Sequence, residues 1–407
     1  MKIIYIHQHF RLPSQNGGTR SFDFSSEFIK AGHEVSVLTT RSDYGFIPIW
    51  NMEIHNGMKV YYCNINYSNE FGKVRRVIAF LLFTIFSTLK SLRLDGDVTI
   101  ATSTPLTVGL PAIAAYFLRK RPYIFEVRDV WPEAVIAIGA VKSKFIVSIL
   151  EKLELLLYRY AMHIVPLSTD MKDSIDRRTG AIYSNKTTVI ENISELNRFR
   201  SYIPKKHLIK QLLGFTPRFT ILYAGTFGQV NNLSYVVELA TFLKEIDSTI
   251  VFILLGDGAE KKDIEKKAVD TGTLGLNVFI LDAISKSELP QLYYECSMGS
   301  SFVAPIPELW ANSANKFFDT LAAQKPILIN HNGWQRNLIK KENIGYVLPF
   351  EMTEECAKKF ADYTLNLDSL QEQSLNSLTV ARERFSLEVL AEKYLAIVNK
   401  VKFFTKN

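Results

Sequence analysis

Short runs rich in β-branched residues alternate with longer helix-patterned segments through both halves of this chain, and no other feature restricts its fold as much. In the first half the strand-like runs are IIYIH, EVSVLTT, KVYYC, DVTIATS, PYIFEV, HIVPLS and TTVIEN, with helical patterns such as SFDFSSEFIKAG and KFIVSILEKLELLLYRYA between them. FTILYAG, IVFILLGDG, LNVFILDAI, MGSSFVAP and PILINH repeat the scheme in the second half. Neighbouring parallel strands need a crossover to bring the chain back, so the alternation spells βαβ units and parallel sheets, twice over. At 407 residues the chain is too long for one typical domain. We expect an α/β protein of two doubly wound, Rossmann-like domains, with ligand sites beyond the carboxyl ends of the strands and the two sheets facing a cleft.

The segment ISELNRFRSYIPKKHLIKQLLGFTPR has the mixed polar character of a linker and sets the boundary near residue 198. This gives an N-terminal domain over residues 1–198 and a C-terminal one over 199–385. In the last segment, residues 386–407, Leu387, Leu390, Tyr394, Ile397, Val398 and Val401 mark one apolar helical stripe, suited to packing back on the N-terminal domain.

Hydrophobic content of 47% and charged content of 22% are those of a soluble globular protein. Cys63, Cys296 and Cys356 lie far apart and form no CxxC pair, which argues against a disulfide framework or zinc ribbon and suits a reducing cytoplasm. The chain runs straight into the strand-like KIIYIH, so no signal peptide is expected.

Charge is distributed unevenly. Residues 1–200 hold 25 Lys+Arg against 18 Asp+Glu, whereas residues 201–407 hold 23 of each, so the whole excess of +7 is N-terminal. Within residues 73–93, Lys73, Arg75 and Arg76 precede an apolar run and Lys90 and Arg93 follow it. As a helix that run reaches only ~20 Å, short of the ~30 Å hydrocarbon core, so it does not span a bilayer. It suits a helix lying on an anionic cytoplasmic membrane leaflet; a buried α/β helix with solvated ends is the plainer alternative. No zinc-finger, helix-turn-helix or RNA-recognition pattern accompanies the basic residues, and no nucleic-acid partner is expected.

Four loops placed after strands carry the chemistry. In residues 308–326, Asn312, Ser313 and Asn315 are helix-capping types, Lys316 is a cation in the first turn and Asp319 lies one turn on. Backbone N–H groups, dipole and Lys316 there suit an anion, and the carboxylate suits a ribose diol; an ordinary capped amphipathic helix explains the same residues. HQHFRLPSQNGGTRSF offers Gly17 and Gly18 just before a helix starting near Thr19, although a plain turn accounts for the pair as well. EVRDVWPEA ends a strand in Arg128 and Asp129, an expensive place for charges without partners, and these either pair with each other or with Glu126 or touch a sugar or diphosphate. In YAGTFGQVNN, Gly225 and Gly228 flank a turn that lacks the Gly-Lys-Ser/Thr ending of a Walker A loop. Asp95-Gly96-Asp97 is a DxD string, but it precedes a strand and reads as a turn. His7 and His9 read as polar residues at a strand end, with no third ligand for a metal.

The order and spacing of these segments, with GHEVSVLTT, YRYAMHIVPLSTDMKDSI, VIENISE and NKFFDTLAAQKPIL, resemble the retaining glycosyltransferases of family 4, which have the two-domain GT-B fold. The resemblance covers nearly the whole chain and looks nearest to bacterial surface-polysaccharide enzymes, including the L-fucosamine transferases of O-antigen assembly. It implies that Gly17 and Gly18 are backbone donors near a donor diphosphate and that Asn315 and Lys316 are the matching clamp. It places Gly228 in the donor site, Ile284 with its backbone at the base, and Asp319 where the family usually carries a ribose-binding Glu. Arg128, Asp129 and Lys316 are the catalytic candidates. The sequence departs from the family at Ala311, where a first Glu is usual and for which Glu308 or Asn312 are possible substitutes. Basic residues usual after the first strand of the C-terminal domain are missing from GTFGQVNN, and a His usual before Arg128 is replaced.

The resemblance implies transfer with retention, no metal, no cofactor beyond a UDP-sugar donor substrate, and a lipid-linked saccharide acceptor. A hexosamine or deoxyhexosamine such as N-acetyl-L-fucosamine is the expected sugar, in O-antigen, lipopolysaccharide or capsule assembly. A UDP-sugar 2-epimerase of the same fold and a non-catalytic scaffold of a polysaccharide assembly complex are the alternatives.

Overall fold

The computed structural model describes residues 1–15, 17–41, 50–67, 71–139, 141–200, 207–285 and 288–404. The chain forms two compact units, one from Gly17–Glu191 with Met1–Pro13 and the C-terminal segment from Leu387, the other from Asn192–Ser386. Both are Rossmann-like α/β domains.

The first unit is built on β1 (Lys2–Ile6), β2 (Glu34–Arg41), β3 (Trp50–His55), β4 (Met58–Asn64), β5 (Val98–Thr102), β6 (Tyr123–Val127) and β7 (His163–Pro166). Their order is β3-β4-β2-β1-β5-β6-β7, and every neighbouring pair is parallel except the hairpin of β3 with β4. Helix α1 (Arg20–Lys30) connects β1 to β2, and α2 (Lys73–Arg93) connects β4 to β5. The C-terminal helix Leu387–Phe404 belongs to this unit: Tyr394 meets the rings of Phe24 and Phe28 on α1 edge-on, at 5.0 and 5.4 Å between centroids.

The second unit carries β8 (Phe219–Ala224), β9 (Ile250–Leu255), β10 (Val278–Leu281), β11 (Met298–Ser301), β12 (Ile327–Ile329) and β13 (Gly345–Val347), all parallel, in the order β10-β9-β8-β11-β12-β13. Side chains alternate across a strand, so a sheet covered on both faces needs an unbroken apolar run. β9 is such a run: Ile250, Phe252 and Leu254 enter one core cluster, Val251, Ile253 and Leu255 the other.

Three strand expectations change. TTVIEN is not a strand: Thr187 makes one isolated bridge to Ile164, and Ile190 donates a single bond to the Pro166 carbonyl at 3.0 Å. The segment follows a short 3-10 turn at Ser184–Lys186 and runs alongside β7 without forming a continuous ladder. Conversely β3 was not expected, because as an edge strand it leaves Met52 and Ile54 exposed and shows no clean alternation. β13 is too short to give a pattern. The expected linker contains two short helices, Leu196–Arg200 and Leu208–Leu213; its residues 201–206 lie outside the described ones.

Candidate functional site

In the second unit β9 and β10 lie on one side of β8 and β11 to β13 on the other, so the topological switch opens a crevice beyond the carboxyl ends of β8 and β11. The helix Asn315–Ala322 starts at this end of the sheet, and Lys316 in its first turn reaches the loop after β8. Its ammonium donates to Asn231 Oδ1 at 2.9 Å and stands 4.8 Å from the centre of the Tyr223 ring. Among the described residues no carboxylate pairs with it. Burial lowers its pKa to about 8, because desolvation disfavours the charged form and no anion offsets it. A cation without counter-charge, at a helix start whose backbone N–H groups have no side-chain cap, has the chemistry that suits an anion.

Backbone contact between two loops makes room for that ammonium. Gly225 N–H donates to the Leu255 carbonyl at 2.9 Å and Phe227 N–H to the Asp257 carbonyl at 2.9 Å, joining the turns after β8 and β9. A Cβ on Gly256 would stand 1.8 Å from the Gly225 carbonyl oxygen and one on Gly258 2.3 Å from that of Phe227; both glycines also have positive φ, +150° and +154°. Gly228, by contrast, has ordinary space around it, its nearest neighbour at 3.7 Å. The need for glycine therefore falls on Gly225, Gly256 and Gly258. The last two stand in LLGDG, a G-x-G after a strand, a signal the sequence analysis did not use.

The capping expected of Asn312, Ser313 and Asn315 is not what the structure shows. Ala314 is the N-cap residue, in extended conformation, and no side chain caps the helix. Asn312 Oδ1 closes an earlier turn by accepting from Ala314 N–H at 3.1 Å, while its Nδ2 donates to the Leu309 carbonyl at 3.1 Å. Its own carbonyl takes Trp334 Nε1 and Gln335 Nε2, at 2.9 and 3.2 Å. With both ends of its amide engaged, Asn312 does not replace the Glu missing at Ala311; Glu308 is exposed. The Asn315 side chain has no partner among the described residues. Asp319 is buried, with Oδ1 3.6 Å from the Arg198 guanidinium. Ile284, after β10, packs half-buried against the core cluster containing Leu222 and Ile253.

Just beyond β12, buried His331 holds Nδ1 2.8 Å from the Asn332 carbonyl, which puts the proton on Nδ1. Burial keeps the ring neutral with a pKa of about 4.

In the first unit Arg128 and Asp129 follow β6, and among the described residues they pair neither with each other nor with Glu126. The Arg128 guanidinium stands 3.1 Å from His7 Nε2, its backbone N–H donates to Ser103 Oγ, and Asp129 Oδ2 accepts from Thr104 Oγ1 at 2.9 Å. Since Arg128 can only donate, His7 Nε2 accepts and Nδ1 donates to Ser21 Oγ at 2.9 Å. Burial and the Arg128 charge hold His7 neutral. Glu126 belongs to Arg20: the two are 3.1 Å apart and almost wholly buried, and Glu126 also accepts from Thr102 Oγ1 at 2.8 Å. Arg20 further donates to the carbonyls of Ile190 and Glu191. Sequence spacing gave no sign of this network, whose members come from α1, β6 and the end of the unit.

Gly17 is exposed with φ +118°, Gly18 half-buried, and α1 begins at Arg20 with Thr19 at its N-cap. Asp95 pairs with Lys2 at 2.5 Å and Asp97 accepts from the Lys2 N–H, both at the start of β1, away from the carboxyl edge. His9 packs on Tyr67 at 4.8 Å, apart from the hydrogen bonds of His7. Among the described residues no group of three or more His, Cys, Asp or Glu is placed to hold a metal ion.

Residues 17–192 match the model of a glycosyl transferase 4-like domain, and residues 205–376 match that of glycosyl transferases group 1. The chain belongs to the GT-B glycosyltransferases.

Solved structures share the fold of this glycosyltransferase at low identity. HepE from Anabaena, in complex with UDP and glucose, aligns with TM-score 0.71 and 15% identity over 98% of this chain and 100% of its own. Sucrose-phosphate synthase from Thermosynechococcus elongatus aligns with TM-score 0.75 and 14% identity over 100% of both chains. WaaG, a glycosyltransferase involved in lipopolysaccharide biosynthesis, aligns with TM-score 0.64 and 14% identity over 96% of this chain and 98% of its own. No curated protein sequence matches the glycosyltransferase.

Proposed function

We propose that this glycosyltransferase moves a hexosamine or deoxyhexosamine from a UDP-sugar to a polyprenyl-diphosphate-linked saccharide at an anionic membrane surface, in bacterial surface-polysaccharide assembly. The observation that carries the donor assignment is Lys316, a half-buried cation without counter-charge at an uncapped helix start. A diphosphate supplies the missing charge. Breaking the anomeric C–O bond leaves negative charge on the departing UDP, and Lys316 with the helix N–H groups stabilises it without reorganising. The acceptor hydroxyl attacks the anomeric carbon with retention, and its proton passes to an oxygen of the leaving diphosphate. UDP as the nucleotide is supported by HepE, whose structure contains UDP. Polysaccharide assembly is supported by the likeness to WaaG and by the basic, apolar helix α2.

The test is mass spectrometry of the purified protein incubated with a panel of UDP-sugars and a synthetic lipid-diphosphate N-acetylglucosamine. The reading predicts a lipid product heavier by one sugar and names the donor by its mass. Epimerised free sugar nucleotide with unchanged lipid would overturn transfer in favour of an epimerase. Absence of both UDP binding and turnover would leave a scaffold.

A further inference from the structure

The connections β4 to β5, β5 to β6 and β6 to β7 all step the same way across the first sheet, and right-handed crossovers put their helices on one face. These helices are α2, Gly109–Arg119 and Lys144–Tyr160. One core cluster holds Ala79 and Phe83, Ala112 and Ile113, and Leu157 and Tyr158 from the three in turn, against Ile4, Ile6 and Phe125 of the sheet. Each helix therefore spends one face on the sheet, and a soluble layer would turn a polar face outward.

This layer also turns apolar side chains outward. On α2 the exposed residues Val74, Ile78, Leu81, Ile85 and Leu89 follow i+4/i+3 spacing along one stripe. On Lys144–Tyr160, Phe145 (75% exposed) and Ile149 continue through Lys152 and Leu156 to Arg159 at the same spacing. Between them, Gly109–Arg119 ends in exposed Phe117 and Leu118, followed by exposed Arg119 and Lys120. The apolar surface spans neighbouring helices and is edged by exposed Arg75, Arg93, Lys142 and Lys144. Scattered exposed apolar residues are ordinary, but an aligned apolar field with a basic margin is not. Residues 73–93 carry Lys73, Arg75, Arg76, Lys90 and Arg93 and no acidic residue, so positive charge lies on the helix that bears the longest apolar stripe.

We propose that the outer face of this three-helix layer is the surface on which the protein lies against a bilayer containing anionic lipid, with Lys144–Tyr160 as a second contact beside α2. The proposal rests on the membrane reading above and extends it from one helix to a plane. Apolar side chains enter the headgroup boundary while the basic margin meets lipid phosphates. Two separated helices fix the orientation of the unit on the surface, which a single helix leaves free to roll.

The test is co-sedimentation of the full chain with phosphatidylcholine vesicles, with and without roughly a third phosphatidylglycerol. Wild type is expected to bind the mixed vesicles and not the neutral ones. The double variant Phe145→Glu/Ile149→Glu, with α2 intact, is expected to lower the partition coefficient about tenfold or more. Leu81→Glu/Ile85→Glu is expected to do the same, and both variants should keep the wild-type circular-dichroism spectrum and UDP affinity. Full binding by Phe145→Glu/Ile149→Glu with loss in Leu81→Glu/Ile85→Glu would confine docking to α2 and overturn the proposal. Failure of wild type to bind mixed vesicles would overturn the membrane reading itself, and a concentration-dependent dimer lost in both variants would assign the face to a second copy of the chain.

Discussion

A β-carbon placed on Gly225 would stand 2.8 Å from Lys316 Cε and 3.3 Å from its Nζ, so the ammonium lies where any other residue would put its side chain. The closest atom is the far end of the flexible Lys316 side chain, the buried Tyr223 Oη at 3.1 Å has to give by only a few tenths of an ångström, and φ of Gly225 is not in the left-handed region. Gly225→Ala should therefore leave the melting temperature within about 2 °C while displacing the ammonium and weakening UDP binding about tenfold, a charge-assisted hydrogen bond being worth about 1.5–3 kcal/mol. Calorimetric titration beside a thermal melt checks both halves. A stable variant with unchanged UDP affinity would remove Lys316 from the donor site.

Gly256→Ala differs in kind. Its β-carbon would strike backbone, the Gly225 carbonyl oxygen, from a positive φ. Nothing there can yield without parting the two loops. Destabilisation of about 2–4 kcal/mol is expected from strain and steric overlap, with loss of UDP binding. Urea unfolding followed by circular dichroism measures it.

Donor affinity should depend on pH through Lys316. Its pKa in the free protein is about 8, and a bound diphosphate favours the protonated form, so binding raises it. UDP affinity is then greatest below pH 8 and declines as pH rises beyond it, until the bound form also loses its proton. Titrations between pH 7 and pH 10 should show that fall, and Lys316→Met should abolish it.

Arg20 and Glu126 test the first unit. Removing one partner leaves the other charged, buried and unpaired, which costs about 3–5 kcal/mol. Arg20→Met also frees the carbonyls of Ile190 and Glu191. The double variant Arg20→Met/Glu126→Leu should lose less than the sum of Arg20→Met and Glu126→Leu, and denaturant titration of the four proteins supplies the cycle.

The two sheets were legible because β6, β9 and their like are buried on both faces and so are written as short, largely apolar runs rich in β-branched and aromatic residues. β3 and β13 escaped for the opposite reason, an exposed edge and a three-residue length. The position of Lys316 in the first turn of a helix was legible. The capping side chains were not, since Asn312, Ser313 and Asn315 are all plausible cap types and only the backbone of Ala314 decides among them. Pairings across the fold, Lys316 with Gly225 or Arg20 with Glu126, join residues far apart in the chain and leave no periodic trace. The charges of Arg128 and Asp129 were rightly seen as needing partners, yet those partners, His7 and Thr104, come from other strand ends.

The most direct measurement is calorimetric titration of UDP into wild type and Lys316→Met at pH 7. A helix-start lysine without counter-charge that clamps a diphosphate predicts binding to wild type and a loss of about 10–100-fold in the variant, with a melting temperature no lower than wild type because a desolvated charge without counter-charge has been removed. Equal UDP affinity in the two proteins would contradict the clamp and with it the placement of the donor in the second unit.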